Sequence, residues 1–245
     1  LDAELLLCRC IAMPRSSLFA HPEDTLDEEA FERLNLLLER RLSGEPMAYI
    51  TGIREFWSME LIVSPATLVP RPETELLVDL ALRQIPRDTD WQVLDLGTGS
   101  GAIAISIAAE RVLCTVTATD ASPEALAIAA ENVRQADLAN VICVLGDWAE
   151  PVAGKQFEII VSNPPYVRED DEALQNLRHE PLSALASGAD GLDDIRVLAT
   201  DCAAILAADG WLMLEHGADQ QTEVANILEA SGWVEIACHN DLAGK

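Results

Sequence analysis

From the start of the chain to about residue 43, apolar residues recur at helical spacing. The acidic run at 27–29 suits a helix N-terminus, and the apolar positions that follow it share one helical face. These positions are Phe31, Leu34, Leu37, Leu38 and Leu42. The Gly-Glu-Pro sequence at 44–46 breaks the pattern. The aromatic and β-branched residues of 49–63 then predict two short strands around a turn.

From Trp91 onward, short apolar runs of strand type alternate with segments of helical spacing. This alternation is typical of a parallel sheet wound with helices, so it predicts an α/β domain with a doubly wound sheet. The candidate strands are residues 92–96, 115–119, 141–145, 157–161, 211–214 and 234–237. The candidate helices begin near Thr74 and after Ser122, a good N-cap, and cover about 195–207 and 219–230.

The two patterns divide the chain into three segments. Residues 1–48 are predicted as a helical N-terminal domain, 49–70 as a connector of two paired strands, and 71–245 as the α/β domain. Hydrophobic residues make up 49% of the chain and charged residues 24%, and both are spread along its whole length. This composition is expected of a soluble globular protein.

No apolar run reaches the roughly 18 residues that a membrane helix requires. The leucine-rich opening is interrupted by Asp2, Glu4 and Arg9, which also argues against a signal peptide. We therefore expect a cytoplasmic protein that does not associate with membranes. We also expect a monomer.

The charge and the cysteines each exclude a class of ligand. Acidic residues outnumber basic ones by 42 to 16, and the net charge of −26 should repel a phosphate backbone. The longest basic cluster, Arg40-Arg41, ends a predicted helix, where cations are expected for local reasons. Nucleic acid is therefore disfavoured as a partner. The 6 cysteines lie mostly in apolar segments without zinc-site spacing, so we predict reduced core residues and no metal site.

A glycine-rich loop follows the first strand of the predicted sheet and precedes a helix. Its residues are Gly97, Thr98, Gly99, Ser100 and Gly101. Glycine lets the backbone turn tightly and approach a ligand closely, so the loop predicts a nucleotide-type cofactor. The loop alone does not distinguish between cofactors, because Gly97, Gly99 and Ala102 also fit the dinucleotide fingerprint.

Asp120 ends the second predicted strand. A carboxylate at this place can accept hydrogen bonds from both ribose hydroxyls of an adenosine, which suits either cofactor. Its alternative role is in the turn that precedes the Ser122 cap.

The sequence Asn163-Pro164-Pro165-Tyr166 directly follows the fourth strand, whose carboxyl end lies at the ligand crevice of a doubly wound sheet. The prolines offer carbonyls without N–H donors and fix φ. An NH₂ group can give one hydrogen to Asn163 and the other to the Pro164 carbonyl, while Tyr166 stacks on its planar face. An ordinary Asn-Pro turn is the alternative. With the glycine loop upstream, this tetrapeptide favours S-adenosylmethionine and methyl transfer to a planar NH₂ group.

The predicted chemistry is nucleophilic attack by a nitrogen, most simply that of a side-chain amide. An amide nitrogen is a poor nucleophile because its lone pair is delocalised into the carbonyl. Holding it in line with a sulfonium methyl supplies effective molarity, and two acceptors stabilise the positive charge that grows on nitrogen. Asn163, Pro164 and Tyr166 are thus the predicted catalytic residues. No strong base is required, so Glu215-His216 after the fifth strand is left out of the site.

Several stretches carry a resemblance to a known family over nearly the whole chain. They are the helical start, Gly-Ile-Arg-Glu-Phe-Trp at 52–57, Pro-Arg-Pro-Glu-Thr-Glu at 70–75, the loop of 95–101 and Asn-Pro-Pro-Tyr at 163–166. The chain is similar to the protein-(glutamine-N5) methyltransferases that modify class I peptide chain release factors. The resemblance implies a small N-terminal helical domain joined by a hairpin to a seven-stranded, Rossmann-like class I S-adenosylmethionine-dependent methyltransferase domain.

The resemblance also implies the reaction and the roles of matching residues. The substrate would be the glutamine of a Gly-Gly-Gln motif, methylated on N5 for translation termination, with S-adenosylhomocysteine as product. The implied cofactor-binding residues are Gly97, Thr98, Gly99, Ser100, Gly101, Asp120, Trp148 and Asn163. The implied substrate-binding residues are Asn163, Pro164, Pro165 and Tyr166. Trp148 would lie by the adenine, or simply pack after its strand. Residues 70–75 either line the pocket or only separate two elements.

Other functions stay open on the sequence alone. The target glutamine can belong to a ribosomal protein instead of a release factor. A DNA adenine methyltransferase also needs to hold a planar NH₂ group, but it must grip phosphates, against which the charge of −26 speaks. A dehydrogenase would not need the Asn163-to-Tyr166 motif, and a scaffold protein would not need an intact one.

Two departures from the family are visible. The chain begins at Leu1 without methionine and ends at Lys245, where the family has a last antiparallel strand. Residues 175–178 are slightly short of the family's usual loop. We expect residues to be missing from the sequence at these places.

Overall fold

The computed structural model of the chain describes residues 1–240 and 244. The end of the predicted α/β domain, at 241–243 and 245, lies outside the described residues. The chain divides into two compact units, Leu1–Ile53 and a second that begins at Arg54. Within the described ranges, no helix combines the length and the apolar character needed to cross a membrane.

The first unit is helical, as predicted. Its helices are α1 Asp2–Ile11, α2 Arg15–Ala20, α3 Glu28–Leu42 and α4 Met47–Thr51. The side chain of Asp27 caps α3 by accepting a hydrogen bond of 2.7 Å from the Ala30 amide. Arg41 near the end of α3 pairs with Asp2 at the start of α1 at 2.8 Å. The predicted apolar face is only partly covered, since Phe31 is exposed.

The strand predicted to begin at Tyr49 is wrong, because this residue lies in α4. The chain leaves α4 through Gly52, which takes a left-handed conformation with φ 79°. Only after this glycine does the backbone extend, into β1 Ile53–Phe56 and β2 Met59–Ile62. The two strands form a small sheet of their own, so the predicted strand pair is present but begins later.

The second unit is built on a five-stranded parallel sheet with the order β5-β4-β3-β6-β7. The strands are β3 Gln92–Leu96, β4 Thr115–Asp120, β5 Val141–Leu145, β6 Phe157–Ser162 and β7 Leu206–Leu214. The order reverses at β3, which makes the sheet doubly wound, as predicted. Five of the six predicted strands are therefore confirmed.

Helices cover both faces of this sheet. They are α5 Glu75–Gln84, α6 Ala102–Glu110, α7 Pro123–Gln135, α8 Asp193–Ile205 and α9 Gln221–Ala230, and a short 3₁₀ turn, Pro72–Thr74, precedes α5. Alternate residues of β3 show the two layers. Val93 packs in the cluster that contains residues of α5 and α6, whereas Leu94 and Leu96 pack with residues of α8.

The sixth predicted strand, residues 234–237, is wrong. Glu235 takes φ 56°, in the left-handed region, which is incompatible with an extended strand. Val234 is 81% exposed, so its alternation with polar neighbours does not reflect a buried face. The described part of the chain thus holds five of the seven strands that the family resemblance implies.

The cysteines are all free thiols. Cys10, Cys114 and Cys202 are buried, as predicted for core residues, and Cys8 and Cys143 are half-buried. The prediction is wrong for Cys238, which is exposed because it lies in the irregular segment after α9.

Asn132 of α7 ties β2 to the glycine loop. Its Nδ2 donates to the carbonyls of Ile62 at 2.9 Å and Ser100 at 2.8 Å, while its Oδ1 accepts from the Ile62 amide at 2.7 Å. The side chain is buried and all its hydrogen-bonding groups are used. One helix thus fixes two segments that are far apart in sequence.

Candidate active site

The carboxyl ends of the five strands lie along one edge of the parallel sheet, and a cavity of about 520 Å³ is lined there by the loops that leave β3, β4, β5 and β6 and by residues of the segment 66–74. A second cavity of about 190 Å³ shares five lining residues with the first. These are Leu68, Arg71, Asn163, Pro165 and Ala184. The position is that of a ligand crevice in a doubly wound sheet, and the larger volume is sufficient for a nucleotide-type cofactor.

The glycine loop needs glycine for two separate reasons. Gly97 and Gly99 both have left-handed backbones, with φ 69° and 58°. A Cβ at Gly97 would lie 3.1 Å from Cζ3 of Trp148, so the indole and the loop pack closely. A Cβ at Gly99 would meet nothing within 4 Å, and Gly99 lines the larger cavity. The backbone of Gly99 is therefore open to a ligand.

Gly101 differs from the rest of the predicted loop. It is the N-cap of α6, and it is not among the residues that line either cavity. A Cβ there would lie 3.0 Å from Cδ1 of Ile105 and 3.4 Å from Ala129. Gly101 thus lets α6 and α7 pack closely, while Gly97, Thr98, Gly99 and Ser100 face the cavity.

Asp95, the last acidic residue before the loop, is fully buried. Its Oδ2 accepts hydrogen bonds from the Thr98 hydroxyl at 2.6 Å and the Ala104 amide at 3.1 Å, whereas Oδ1 has no partner among the described residues. Burial raises the pKa of Asp95 to about 7, although these two hydrogen bonds lower it. The loop and the start of α6 are therefore held by a carboxyl group that is costly to ionise.

Asp120 ends β4 and lines the larger cavity. Its Oδ2 accepts from the Gly99 amide at 2.8 Å and its Oδ1 accepts from the Ser122 amide at 2.9 Å. The residue therefore makes the turn contact that the sequence left as an alternative, and it also faces the ligand space. Each carboxylate oxygen retains acceptor capacity for a hydroxyl group.

Trp148 lies after β5 in a strained backbone conformation, with φ 38°. Its carbonyl accepts from the Thr119 hydroxyl at 3.3 Å, and its ring packs against the cluster around α8. The same side chain lines the larger cavity. Packing and ligand contact were the two alternatives for this residue, and its position is compatible with both.

The Asn-Pro-Pro-Tyr motif follows β6 and separates the two cavities. Asn163 and Pro165 line both of them, while Pro164 and Tyr166 line only the smaller one. Nδ2 of Asn163 donates to Oγ1 of Thr74 at 3.1 Å. The amide oxygen of Asn163 is then the end that remains for a ligand.

Behind the motif lies Glu215, which follows β7. Its Oε1 accepts from the Tyr166 hydroxyl at 3.2 Å, and its Oε2 is shielded from solvent without a partner in the described residues. Burial raises the pKa of Glu215, and hydrogen bonds from Thr74, Tyr166 and Asn163 oppose this effect. Burial likewise raises the pKa of Tyr166, with a further contribution from Glu215.

An ion pair shapes the wall shared by the two cavities. Arg71 donates to Oε1 of Glu180 at 2.5 Å, and Oε2 of Glu180 accepts from the Val69 amide at 3.0 Å. Pro70, Arg71 and Thr74 line the larger cavity, so the segment 70–75 belongs to the pocket wall. Pro72 also opens the 3₁₀ turn before α5, so the other alternative for this segment holds as well.

Sequence reasoning assigned no role to four residues of this region. Asp95 stands only as the first residue of the stretch 95–101, and Glu215 is left out of the predicted site because the chemistry requires no base. Thr74 was predicted only as the start of a helix and as part of the segment 70–75, and Glu180 had no local signal of its own. Asp95 acts on the loop that follows it, whereas Thr74, Glu180 and Glu215 act on neighbours that only the fold brings to them.

Two family profiles match the chain. The profile of the methyltransferase small domain matches residues 73–190, which include the glycine loop, Asp120, Trp148 and the Asn163-to-Tyr166 motif. The profile of the PrmC N-terminal domain matches residues 1–52, which correspond to the helical unit.

Curated proteins are similar to the chain over its full length. A release factor glutamine methyltransferase of Coxiella burnetii is 45% identical over 244 residues, which is 100% of this chain and 88% of that protein. One of Vibrio cholerae is 47% identical over 247 residues, 100% of this chain and 86% of that protein. Among solved structures, a methyltransferase from Pyrococcus furiosus superposes with a TM-score of 0.53 at 21% identity, over 80% of this chain and 84% of its own. This last likeness shows the fold.

Proposed function

Because the chain belongs to the release factor glutamine methyltransferase family, we propose that it methylates N5 of the glutamine in the Gly-Gly-Gln motif of class I peptide chain release factors. S-adenosylmethionine is the proposed methyl donor and S-adenosylhomocysteine the product. The observation that carries this proposal is the orientation of Asn163. Its NH₂ group donates to Thr74, so its amide oxygen remains for a glutamine side chain that would enter the smaller cavity.

The residues of the larger cavity fit the proposed donor. Gly99 presents a backbone without a side chain in open space, and Asp120 keeps acceptor capacity for ribose hydroxyls. Trp148 offers an aromatic face at the same cavity for adenine. When bound, S-adenosylmethionine supplies a sulfonium methyl carbon that accepts a lone pair while the electrons of the broken C–S bond stay on sulfur.

The protein's own contribution is to hold and orient the target amide. Oδ1 of Asn163 and the carbonyl of Pro164 would accept its two hydrogens, and the ring of Tyr166 would lie against its plane. The two acceptors stabilise the positive charge that develops on nitrogen as it attacks the methyl carbon. The nitrogen then loses one proton to water, which restores a neutral amide. The smaller cavity, lined by Leu68, Leu177 and Leu185 among others, suits the aliphatic part of a glutamine side chain.

A nucleic acid substrate is not supported by the site. The net charge of −26 repels a phosphate backbone. Among the described residues that line the two cavities, the one cation is Arg71, and it is paired with Glu180. A glutamine in a protein is therefore the better candidate than an adenine in DNA.

The test is intact-mass analysis of a purified class I release factor after incubation with enzyme and S-adenosylmethionine. We expect a gain of one methyl group on the Gly-Gly-Gln glutamine, located by fragmentation. The matched control is the same factor with this glutamine replaced by asparagine, which should gain none. Transfer to a ribosomal protein or to DNA, with none to the release factor, would contradict the proposal.

A further inference from the structure

Glu215 is a half-buried acid that the proposed reaction does not use directly. It follows β7 at the same sheet edge as the Asn163-to-Tyr166 motif, but it is not among the residues that line either cavity. Its Oε2 has neither solvent nor a hydrogen-bond partner in the described residues. Shielding a carboxylate oxygen from water without a hydrogen bond costs stability, which suggests that Glu215 has a functional role.

The contacts of Glu215 lead to the residues that face the substrate. Oε1 accepts from the hydroxyl of Tyr166, and the polar side chains of Thr74 and Asn163 lie near enough to the carboxylate to lower its pKa. Asn163 in turn donates to Oγ1 of Thr74 at 3.1 Å. Three side chains from three segments of the chain therefore converge on one carboxylate.

The direction of these hydrogen bonds is fixed by chemistry. An ionised carboxylate only accepts, so it favours a Thr74 hydroxyl whose proton is turned towards Glu215 and whose oxygen accepts from Asn163, as observed. The NH₂ end of Asn163 is therefore directed to Thr74 and Glu215, and its oxygen is directed away from them. If Glu215 were neutral, it could donate to Thr74, and Thr74 could then donate to Asn163. The Asn163 amide could then turn over and present NH₂ to the substrate.

We propose, building on the function proposed above, that Glu215 is a positioning residue which sets the orientation of the Asn163 amide and of the Tyr166 hydroxyl. Only the oxygen end of Asn163 can accept a hydrogen from the reacting nitrogen. If Asn163 presented its NH₂ group, two hydrogen-bond donors, this group and the NH₂ of the target amide, would face each other, and the target amide would be repelled. Glu215 thus acts through Asn163 and Tyr166 without touching the substrate.

The charged surroundings of Glu215 are compatible with a titration that affects activity. Glu73 raises the pKa of Glu215, and Tyr166 contacts it directly. Arg71 lowers the pKa of Tyr166, whereas Glu73 raises it. His216, the residue after Glu215, contacts the Gly217 carbonyl at 2.8 Å. Because burial raises the pKa of Glu215, the active, ionised form should be lost at a pH above the usual glutamate range. Ionisation of this acid also lowers the stability of the fold as pH rises through that pKa.

The test compares Glu215→Gln with Glu223→Gln, a matched change at an exposed glutamate of α9. Single-turnover methyl transfer to the release factor is measured at saturating donor and substrate from pH 5 to pH 9. We expect Glu215→Gln to lower the transfer rate about 10- to 100-fold, the loss that outer partners of site residues typically cause. We also expect it to abolish the acid limb of the pH profile while leaving donor affinity near that of the wild type. Glu223→Gln should retain the wild-type rate and profile.

A second pair of variants separates positioning from structural support. Thr74→Val removes the hydroxyl that connects Glu215 to Asn163, whereas Thr74→Ser keeps it. We expect the valine variant to lose rate as Glu215→Gln does, the serine variant to recover it, and the double variant to be no slower than either single one.

Two outcomes would overturn these ideas, and they are distinguishable. If the wild type methylates the release factor and Glu215→Gln matches it in rate and pH profile, Glu215 has no positioning role. If the wild type methylates no release factor in the same assay, the proposed function fails and this inference fails with it.

Discussion

Asp95, which is buried, and Glu215, which is half-buried, are two acids in different parts of one site, and each has one oxygen without a partner in the described residues. They differ in where their partners come from. Asp95 bonds to Thr98 and Ala104, three and nine residues along the chain. Glu215 bonds to Tyr166, 49 residues away. In the donor half of the site, where S-adenosylmethionine would bind, the acid thus acts within one local turn. In the amide half, where the target glutamine would bind, the acid acts on a segment that only the complete sheet brings to it.

The largest expected effect concerns Asp95 and the stability of the donor half. Its pKa of about 7 lies about three units above the value of 3.8 for the free side chain, and this corresponds to about 4 kcal/mol. The wild-type unfolding free energy should therefore decline by this amount, relative to Asp95→Asn, as pH rises from about 4 to about 7. Above that range the difference should be constant.

Urea unfolding of both proteins at several pH values measures this difference. Any fixed cost of burying the asparagine NH₂ group is the same at every pH, so the slope alone carries the test. Parallel curves for the two proteins would show that Asp95 is ionised without penalty.

Asn163→Ala should give the next largest effect, in the amide half. It removes one of two preorganised acceptors for the target NH₂ group, and such a loss typically costs about 10²–10³ in rate. Donor affinity should change little, because the glycine loop and Asp120 stay in place. Single-turnover transfer measured beside calorimetric donor binding separates the two. A rate near that of the wild type would contradict the role of Asn163.

Asp120→Ala should have the opposite pattern, with a larger effect on donor affinity than on the transfer rate. Removing charge-assisted hydrogen bonds to ribose should weaken donor binding by about 1.5–3 kcal/mol. The transfer rate at saturating donor should be affected less than in Asn163→Ala. Calorimetric titration gives the affinity, and circular dichroism shows that the variant is folded. Wild-type affinity in a folded variant would remove Asp120 from the donor site.

Gly99→Ala should have the smallest effect on stability and the most local effect on binding. Its matched control is Gly154→Ala, because both glycines have left-handed backbones, φ 58° and 82°, and neither Cβ would meet an atom within 4 Å. Each change should cost about 1 kcal/mol of stability through backbone strain. Only Gly99→Ala should weaken donor binding, since only Gly99 lines the cavity. Equal affinities for both variants would show that the loop does not contact the donor.

The contrast between the two acids also explains what the sequence can predict. The glycine loop, Asp120 and the parallel strands were predictable, because each has a signal within a few residues. The roles of Thr74 and Glu215 were not, because Thr74 is 89 residues from Asn163, its partner. No local pattern records such a contact.

The errors in the fold have physical causes of the same kind. Tyr49 has strand-type chemistry, but left-handed Gly52 closes a helical turn before the chain extends. Residues 234–237 alternate as a strand would, yet Glu235 has a left-handed backbone. In both cases, a single backbone conformation overrides side-chain preference.

The position of β3 at the centre of the sheet has a consequence for the newly made chain. Of the five strands of the parallel sheet, β3, β4 and β5 leave the ribosome first and are free to pair with one another before β6 is made. The other edge of β3 pairs with β6, which is made later, so we expect a half-sheet with an open, apolar central strand during synthesis. We expect this stage to be the one most prone to aggregation and most dependent on chaperones. Pulse proteolysis of chains stalled before residue 157 would detect it.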